Sequence, residues 1–184
     1  MDITPTPLAG VFVIRPKVFR DERGYFMESF RWDRLTAGAG LKEVFVQDNE
    51  SLSQKGVLRG LHFQKPPFAQ GKLVRVVTGS VFDVAVDLRK DSDTYGKWFG
   101  QTLTADQKEM LWIPPGFAHG FLTLEDNTIF QYKCTQYYHP ESEGSIRWDD
   151  PSIGIQWPLE DISSPVVSAK DASAPAFNAF ISPF

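Results

Sequence analysis

Apolar and polar positions along this chain alternate in short runs, and no window holds a helical period for more than about two turns. β-Branched and aromatic residues collect in these runs, with Gly, Pro, Asn and Ser between them, so the pattern predicts strands. They are expected near 11–19, 25–30, 44–51, 57–64, 97–104, 110–113, 119–124, 128–138 and 145–148. The clearest runs are 72–77 and 81–89, joined by Thr78-Gly79-Ser80. In the second, Phe82, Val84, Val86 and Leu88 share one face, and the short connection predicts a hairpin. Residues 32–37 read as a short helix ended by Gly38 and Gly40. Many short strands with close turns bury one face of each sheet best as a sandwich or barrel, and the predicted fold is an all-β jelly roll.

A length of 184 residues fits one domain, 1–184, with a sizeable core. Residues 163–184, rich in Ser, Ala and Pro, are expected to wrap the barrel as an extended segment. A net charge of −4 argues against a nucleic-acid partner, which demands a basic surface. No run approaches the roughly 20 apolar residues of a spanning helix, and no basic leader precedes an apolar stretch, so no membrane partner and a cytoplasmic location are expected. Cys134 is the single cysteine, which excludes an internal disulfide and reads as a small core residue.

The chain has no Gly-rich phosphate loop, dinucleotide fingerprint or Ser/Cys nucleophile motif, so covalent and redox chemistry lose support. It has three histidines. His139, before Pro140, reads as a solvated turn residue. His62 lies in Leu58-Arg59-Gly60-Leu61-His62-Phe63-Gln64, and His119 in Pro114-Pro115-Gly116-Phe117-Ala118-His119-Gly120-Phe121. The second stretch resembles the second motif of the cupin superfamily, whose members are jelly rolls. Metal-binding cupins carry His-x-His in the first motif, and here Gln64 stands at the second of those positions. Two histidines without a further ligand make a poor transition-metal site, so no metal and no cofactor are expected. By strand parity Phe130, Tyr132, Cys134, Gln136 and Tyr138 point one way. Spacing alone leaves open whether the two tyrosines line a cavity or sit in the core with tied hydroxyls.

A longer set of ordered motifs resembles the dTDP-4-dehydrorhamnose 3,5-epimerase family over nearly the whole chain. It comprises Arg23-Gly24-Tyr25-Phe26-Met27-Glu28, Gln47-Asp48-Asn49-Glu50-Ser51, the two histidine motifs, Gln70-Gly71-Lys72-Leu73-Val74, Tyr132, Tyr138 and Ser168-Ala169-Lys170-Asp171. The resemblance implies His62 as general base, oriented by Asp171, and Tyr132 as general acid on the other face of the sugar. Lys72 would face the oxyanion of an enolate intermediate, with a further hydrogen bond donated by His119. It also implies Arg59 and Arg23 on the diphosphate, Tyr138 against the thymine ring, and Phe26, Glu28, Gln47, Asn49, Glu143 and Lys170 completing the pocket. Glu143 and Lys170 have an alternative as solvated or capping residues. The implied partners are a dTDP-linked 4-keto-6-deoxy sugar and a second copy of the chain, with exchanged N-terminal strands placing Arg23 in the partner's site.

Two points stay open at the level of sequence. In a regular strand Arg59 and His62 face opposite ways, and both enter one pocket only through a bulge or bend at Gly60. The motifs also leave room for an epimerase of one carbon only, for a metal-dependent cupin, and for a non-catalytic nucleotide-sugar binder. The last has no need of both His62 and Tyr132.

Overall fold

A computed structural model describes residues 1–184. Its first half contains β1 (Asp2–Pro5), β2 (Phe12–Arg15), β3 (Val18–Asp21), β4 (Gly24–Met27), α1 (Trp32–Ala39), β5 (Gln47–Ser53), β6 (Leu58–Gln64), β7 (Lys72–Thr78) and β8 (Ser80–Asp87). Its second half adds β9 (Trp98–Thr104), β10 (Met110–Ile113), β11 (Phe117–Thr123), β12 (Thr128–Cys134), β13 (Glu143–Ser145) and the one-turn helix α2 (Ala169–Ala172). The strands form two facing antiparallel sheets, ordered β1-β2-β10-β7-β12-β5 and β13-β6-β11-β8-β9, with β3 and β4 as a separate hairpin. This is the all-β jelly roll of the cupin type.

Strand alternation explains why the two sheets bury different amounts of surface. On β5 the odd residues from Gln47 to Ser51 turn inward and Asp48, Glu50 and Leu52 are exposed. On β8 both faces are covered. Val81 and Ala85 join Val74, Val76, Leu111, Phe121 and Phe130 in the core between the sheets. Val84, Val86 and Leu88 pack outward against Ile153, Trp157 and the C-terminal phenylalanines. The tail thus lies on the five-stranded sheet, where Phe63 makes edge contacts with Phe180 and Phe184 at 5.3 and 5.9 Å.

The expected hairpin of 72–77 with 81–89 does not form. β7 pairs with β10 and β12 in one sheet, and β8 with β11 and β9 in the other. The chain switches sheets at Gly79, whose φ is +79° and where a Cβ would lie 2.2 Å from Thr128 Oγ1. A short turn between strands fits a sheet-crossing corner as well as a hairpin, and local sequence does not separate them. The run predicted at 11–19 divides into β2 and β3, while the strand predicted to reach 138 stops at Cys134. β1 was not anticipated, since Asp2-Ile3-Thr4-Pro5 has too little apolar content to read as a strand.

Candidate active site

The cavity opens between the sheets. From the five-stranded sheet, His62 on β6 and His119 on β11 lie side by side as register partners, with Asp83 on the adjacent β8. From the six-stranded sheet come Tyr132 on β12, Lys72 on β7 and Ser51 on β5. His62 and Tyr132 therefore approach one cavity of about 450 Å³ from opposing walls, and Arg59 and Asp171 share its lining. A pocket of that size is ordinary for a small-molecule site.

Arg59 and His62 reach the same cavity because β6 carries an extra residue. Pairing with β11 passes from His119↔His62 to Phe121↔Arg59, two steps on β11 (121 − 119) against three on β6 (62 − 59). The bulge falls at Gly60, as the sequence required. There φ is +130°, and a Cβ would lie 2.6 Å from Gly120 Cα and 2.9 Å from His119 O. Both atoms are backbone and cannot swing aside. Gly60→Ala is expected to lower stability by about 1–3 kcal/mol through strain alone. For a domain of this size that is about 2–4 °C of melting temperature per kcal/mol, and an unchanged Tm by calorimetry would remove the close-approach argument.

Asp171 arrives from far along the chain. Val166 bridges to Val57 and exchanges backbone hydrogen bonds at the start of β6, donating to Gly56 O at 2.8 Å and accepting from Leu58 N at 3.0 Å. Ser168 then caps α2 by accepting from Asp171 N at 3.1 Å. This delivers the Asp171 carboxylate, 3% exposed, to 2.6 Å from His62 Nε2. Burial works against its charge, but hydrogen bonds from His62 and the Gly60 N–H prevail and hold its pKa below the ordinary carboxylate range. An ionised carboxylate only accepts, so His62 Nε2 carries the proton and Nδ1 is the free basic atom of the ring.

His119 has its own buried acid, with Nε2 at 2.9 Å from Asp83 Oδ2. Burial depresses the His119 pKa. A neutral ring that donates Nε2–H to Asp83 keeps only an acceptor at Nδ1, so His119 donates to a ligand only as imidazolium, a narrower role than the donor expected from sequence. Asp83 was not singled out, although an acid at an inward position of an otherwise apolar strand is a legible signal. Ser51 was missed too. Its buried Oγ lines the cavity without a hydrogen-bond partner.

At the outer end, Tyr138 Oη donates to Glu143 Oε2 at 2.9 Å and Lys170 Nζ lies 2.6 Å from the same oxygen. Glu143 and Lys170 are thus linked to the tyrosine rather than free. Asn49 and Gln47 join Tyr138 and Glu143 in a second, contiguous cavity that also reaches Arg59, His62 and Tyr132. Arg23, Phe26 and Glu28 are not brought there within one chain. Arg23 pairs with its neighbour Asp21, Glu28 pairs with Arg31, and Phe26 is 66% exposed on the β3–β4 hairpin. His139 is a turn residue as expected, half-buried where its ring stacks on Phe68 at 3.8 Å. Cys134 is buried, with its thiol pKa pushed up by burial. No group of three His, Cys, Asp or Glu side chains converges as a metal site would require.

The family model described as dTDP-4-dehydrorhamnose 3,5-epimerase matches residues 5–179. The chain belongs to that family. It is 55% identical to the dTDP-4-dehydrorhamnose 3,5-epimerase of Salmonella typhimurium, covering 95% of this chain and 94% of that one. With the enzyme of the same name from Methanothermobacter thermautotrophicus it shares 57% identity over 90% and 89% of the two chains. A crystal structure of the epimerase from Legionella pneumophila, in complex with dTDP-4-keto-L-rhamnose, superposes with a TM-score of 0.93 at 50% identity, covering 98% and 94%.

The electrostatics of this epimerase suit proton transfer beside a ketone. Burial raises the Tyr132 pKa, which keeps the phenol protonated and able to act as an acid. Burial lowers that of Lys72, whose Nζ lies 5.8 Å from the centre of the Tyr132 ring and has no carboxylate partner within ion-pair distance. A lysine pKa below its usual value loses its cation at a lower pH than a surface lysine does. The rate of the epimerase is therefore expected to fall on the alkaline side before ordinary lysines titrate, and Lys72→Met should remove that limb along with most activity. A flat alkaline profile up to the usual lysine range would separate Lys72 from turnover.

Proposed function

We propose that this epimerase inverts C3 and C5 of dTDP-4-dehydro-6-deoxy-D-glucose to give dTDP-4-dehydro-L-rhamnose, with His62 as base and Tyr132 as acid. The observation that carries this reading is the placement of a histidine–carboxylate pair and a protonated tyrosine on opposing walls of one cavity. His62 Nδ1 takes the proton from the carbon beside the ketone, and the C–H electron pair moves into an enolate with its charge on O4. The gap between such a carbon acid and an imidazole spans many pKa units, each about 1.4 kcal/mol, so the oxyanion needs a counter-charge. Lys72 supplies it. Tyr132 then protonates the carbon from the opposite face. Each inversion leaves imidazolium and phenolate, which solvent resets before the second carbon reacts.

Arg59 is exposed at the mouth, its guanidinium held by Ser53 Oγ at 3.3 Å, and takes the diphosphate. The Tyr138 ring, 55% exposed and anchored through Glu143, takes the thymine. That the Legionella structure holds dTDP-4-keto-L-rhamnose supports the same substrate class here. The working unit is a dimer in which a second copy covers the apolar residues exposed on the β3–β4 hairpin, Phe19, Tyr25 and Phe26, and receives Arg23. A solution mass of one chain would overturn it. No helix is long and apolar enough to cross a membrane, and a cytoplasmic location is proposed. The deciding experiment is NMR analysis of the product formed from the dTDP-linked keto-sugar in deuterated buffer. Deuterium at C3 and C5 with both centres inverted is expected, and inversion of one centre alone would reassign the enzyme to single-carbon epimerisation.

A further inference from the structure

Four consecutive residues just beyond β12 are tied down by glutamine side chains. Gln70 Nε2 donates to Gln136 O at 2.7 Å. Gln64 Nε2 donates to Tyr137 O at 3.2 Å, and its Oε1 accepts from His139 N at 2.8 Å. Gln47 Oε1 accepts from Tyr138 N at 2.9 Å. The second donor contact of Gln64, to Phe68 O at 2.7 Å, holds the neighbouring loop as well. None of these bonds belongs to a β ladder. The carboxamides stand in for the peptide groups of a missing strand, since each offers both an acceptor and donors.

We infer that Gln47, Gln64 and Gln70 form a clamp that fixes the turn carrying Tyr138, and that Gln64 is a positioning residue for nucleobase binding. The inference rests on the reading of Tyr138 as the thymine platform. The physical need is plain. Tyr138 is more than half exposed and lies outside the sheet, so apolar packing does not fix its ring. Its side chain is held at one point, by Glu143. A platform free to move would lose its mobility on binding, at the expense of affinity, whereas a backbone clamped beforehand does not. Gln64 is itself 4% exposed on β6, rooted in the strand that carries Arg59 and His62. It thereby couples the base platform to the catalytic strand. The position that would supply a ligand in a metal-binding cupin is here committed to three backbone groups.

The test is a double-mutant cycle read by dTDP titration and by steady-state kinetics on the dTDP-linked keto-sugar. Gln64→Met removes the hydrogen bonds at nearly constant volume. Releasing a side chain's worth of order corresponds to about three- to tenfold in Kd, with KM rising alike and kcat held. In the Tyr138→Ala background the same change should leave the dTDP Kd where that single variant put it. If Tyr138→Ala alone binds dTDP as tightly as the parent, the platform reading fails and the clamp with it. If Tyr138→Ala weakens binding while Gln64→Met does not, the clamp alone is overturned. Equal weakening by Gln64→Met with and without the ring would also overturn it, because a general packing defect has that signature. Should Gln64→Met fail to fold, Gln70→Leu, which removes a single bond to Gln136 O, carries the same expectation at smaller amplitude and the same cycle decides.

Discussion

Replacing His62 with Ala is expected to abolish the entry of solvent deuterium at both C3 and C5. The expectation follows from the proton inventory of the cavity. Of the groups facing the sugar, His119 also keeps a free Nδ1, but its side chain is only 7% exposed against 29% for His62, and burial weakens it as a base. Lys72 is a cation below its depressed pKa, and Tyr132 is held as a phenol by burial. None offers a base as accessible as the His62 Nδ1 left free by Asp171. Loss of one positioned base slows proton transfer by about 10²–10⁴-fold, and here both carbons depend on the same atom. Exchange at C3 and C5 should therefore vanish together when followed by proton NMR on the unreacted keto-sugar. Retention at either carbon would require a second base and would remove His62 from that half of the reaction. Binding of dTDP should be largely retained, since the His62 side chain hydrogen-bonds to Asp171 and not to Tyr138, Glu143 or Lys170.

Tyr132→Phe separates the two halves of each inversion. The base remains, so the first proton still leaves and exchanges with solvent, but delivery from the opposite face is lost. Exchange without inversion is the expected outcome at one or both centres, with inversion slowed by about 10²–10⁴-fold. The ring is retained, so its packing beside the inter-sheet core, 6.0 Å from Phe130, is preserved and the variant should fold as the parent does. A Tyr132→Phe enzyme that inverts both carbons at the parental rate would move the acid role to water or another cavity residue.

The fold class was legible because it rests on short-range patterns, whereas the roles of His62 and Tyr132 were implied only by the motif resemblance, since spacing alone left the tyrosines open. Alternation on β5 and β12 marks inward positions, and a Pro-Pro-Gly turn before His119 fixes where β11 begins. The Arg59–His62 conflict was also legible, because a parity rule broken across a glycine has few solutions and a bulge is one. What failed were features decided by partners distant in sequence. The 72–77 and 81–89 runs looked like a hairpin because nothing local says that β8 will find β11 and β9 instead of β7. Asp83 was visible as an inward acid on an apolar strand, but the partner that gives it meaning, His119, lies 36 positions away. Arg23, Phe26 and Glu28 rest on the motif resemblance; within one chain they do not line the cavity, and Arg23 reaches a site only in the proposed dimer. Gln64 was read as a lost metal ligand, whereas its three backbone partners lie in two loops whose approach the sequence does not announce.

The pairing of His62 with Asp171 also makes the proposed base depend on the C-terminal segment. The two residues are 109 positions apart, and Asp171 reaches the histidine only after the segment around Val166 has docked beside β6. A chain truncated before residue 171 lacks that carboxylate, and its histidine has neither a fixed tautomer nor a fixed orientation. Such a chain should be inert toward keto-sugars.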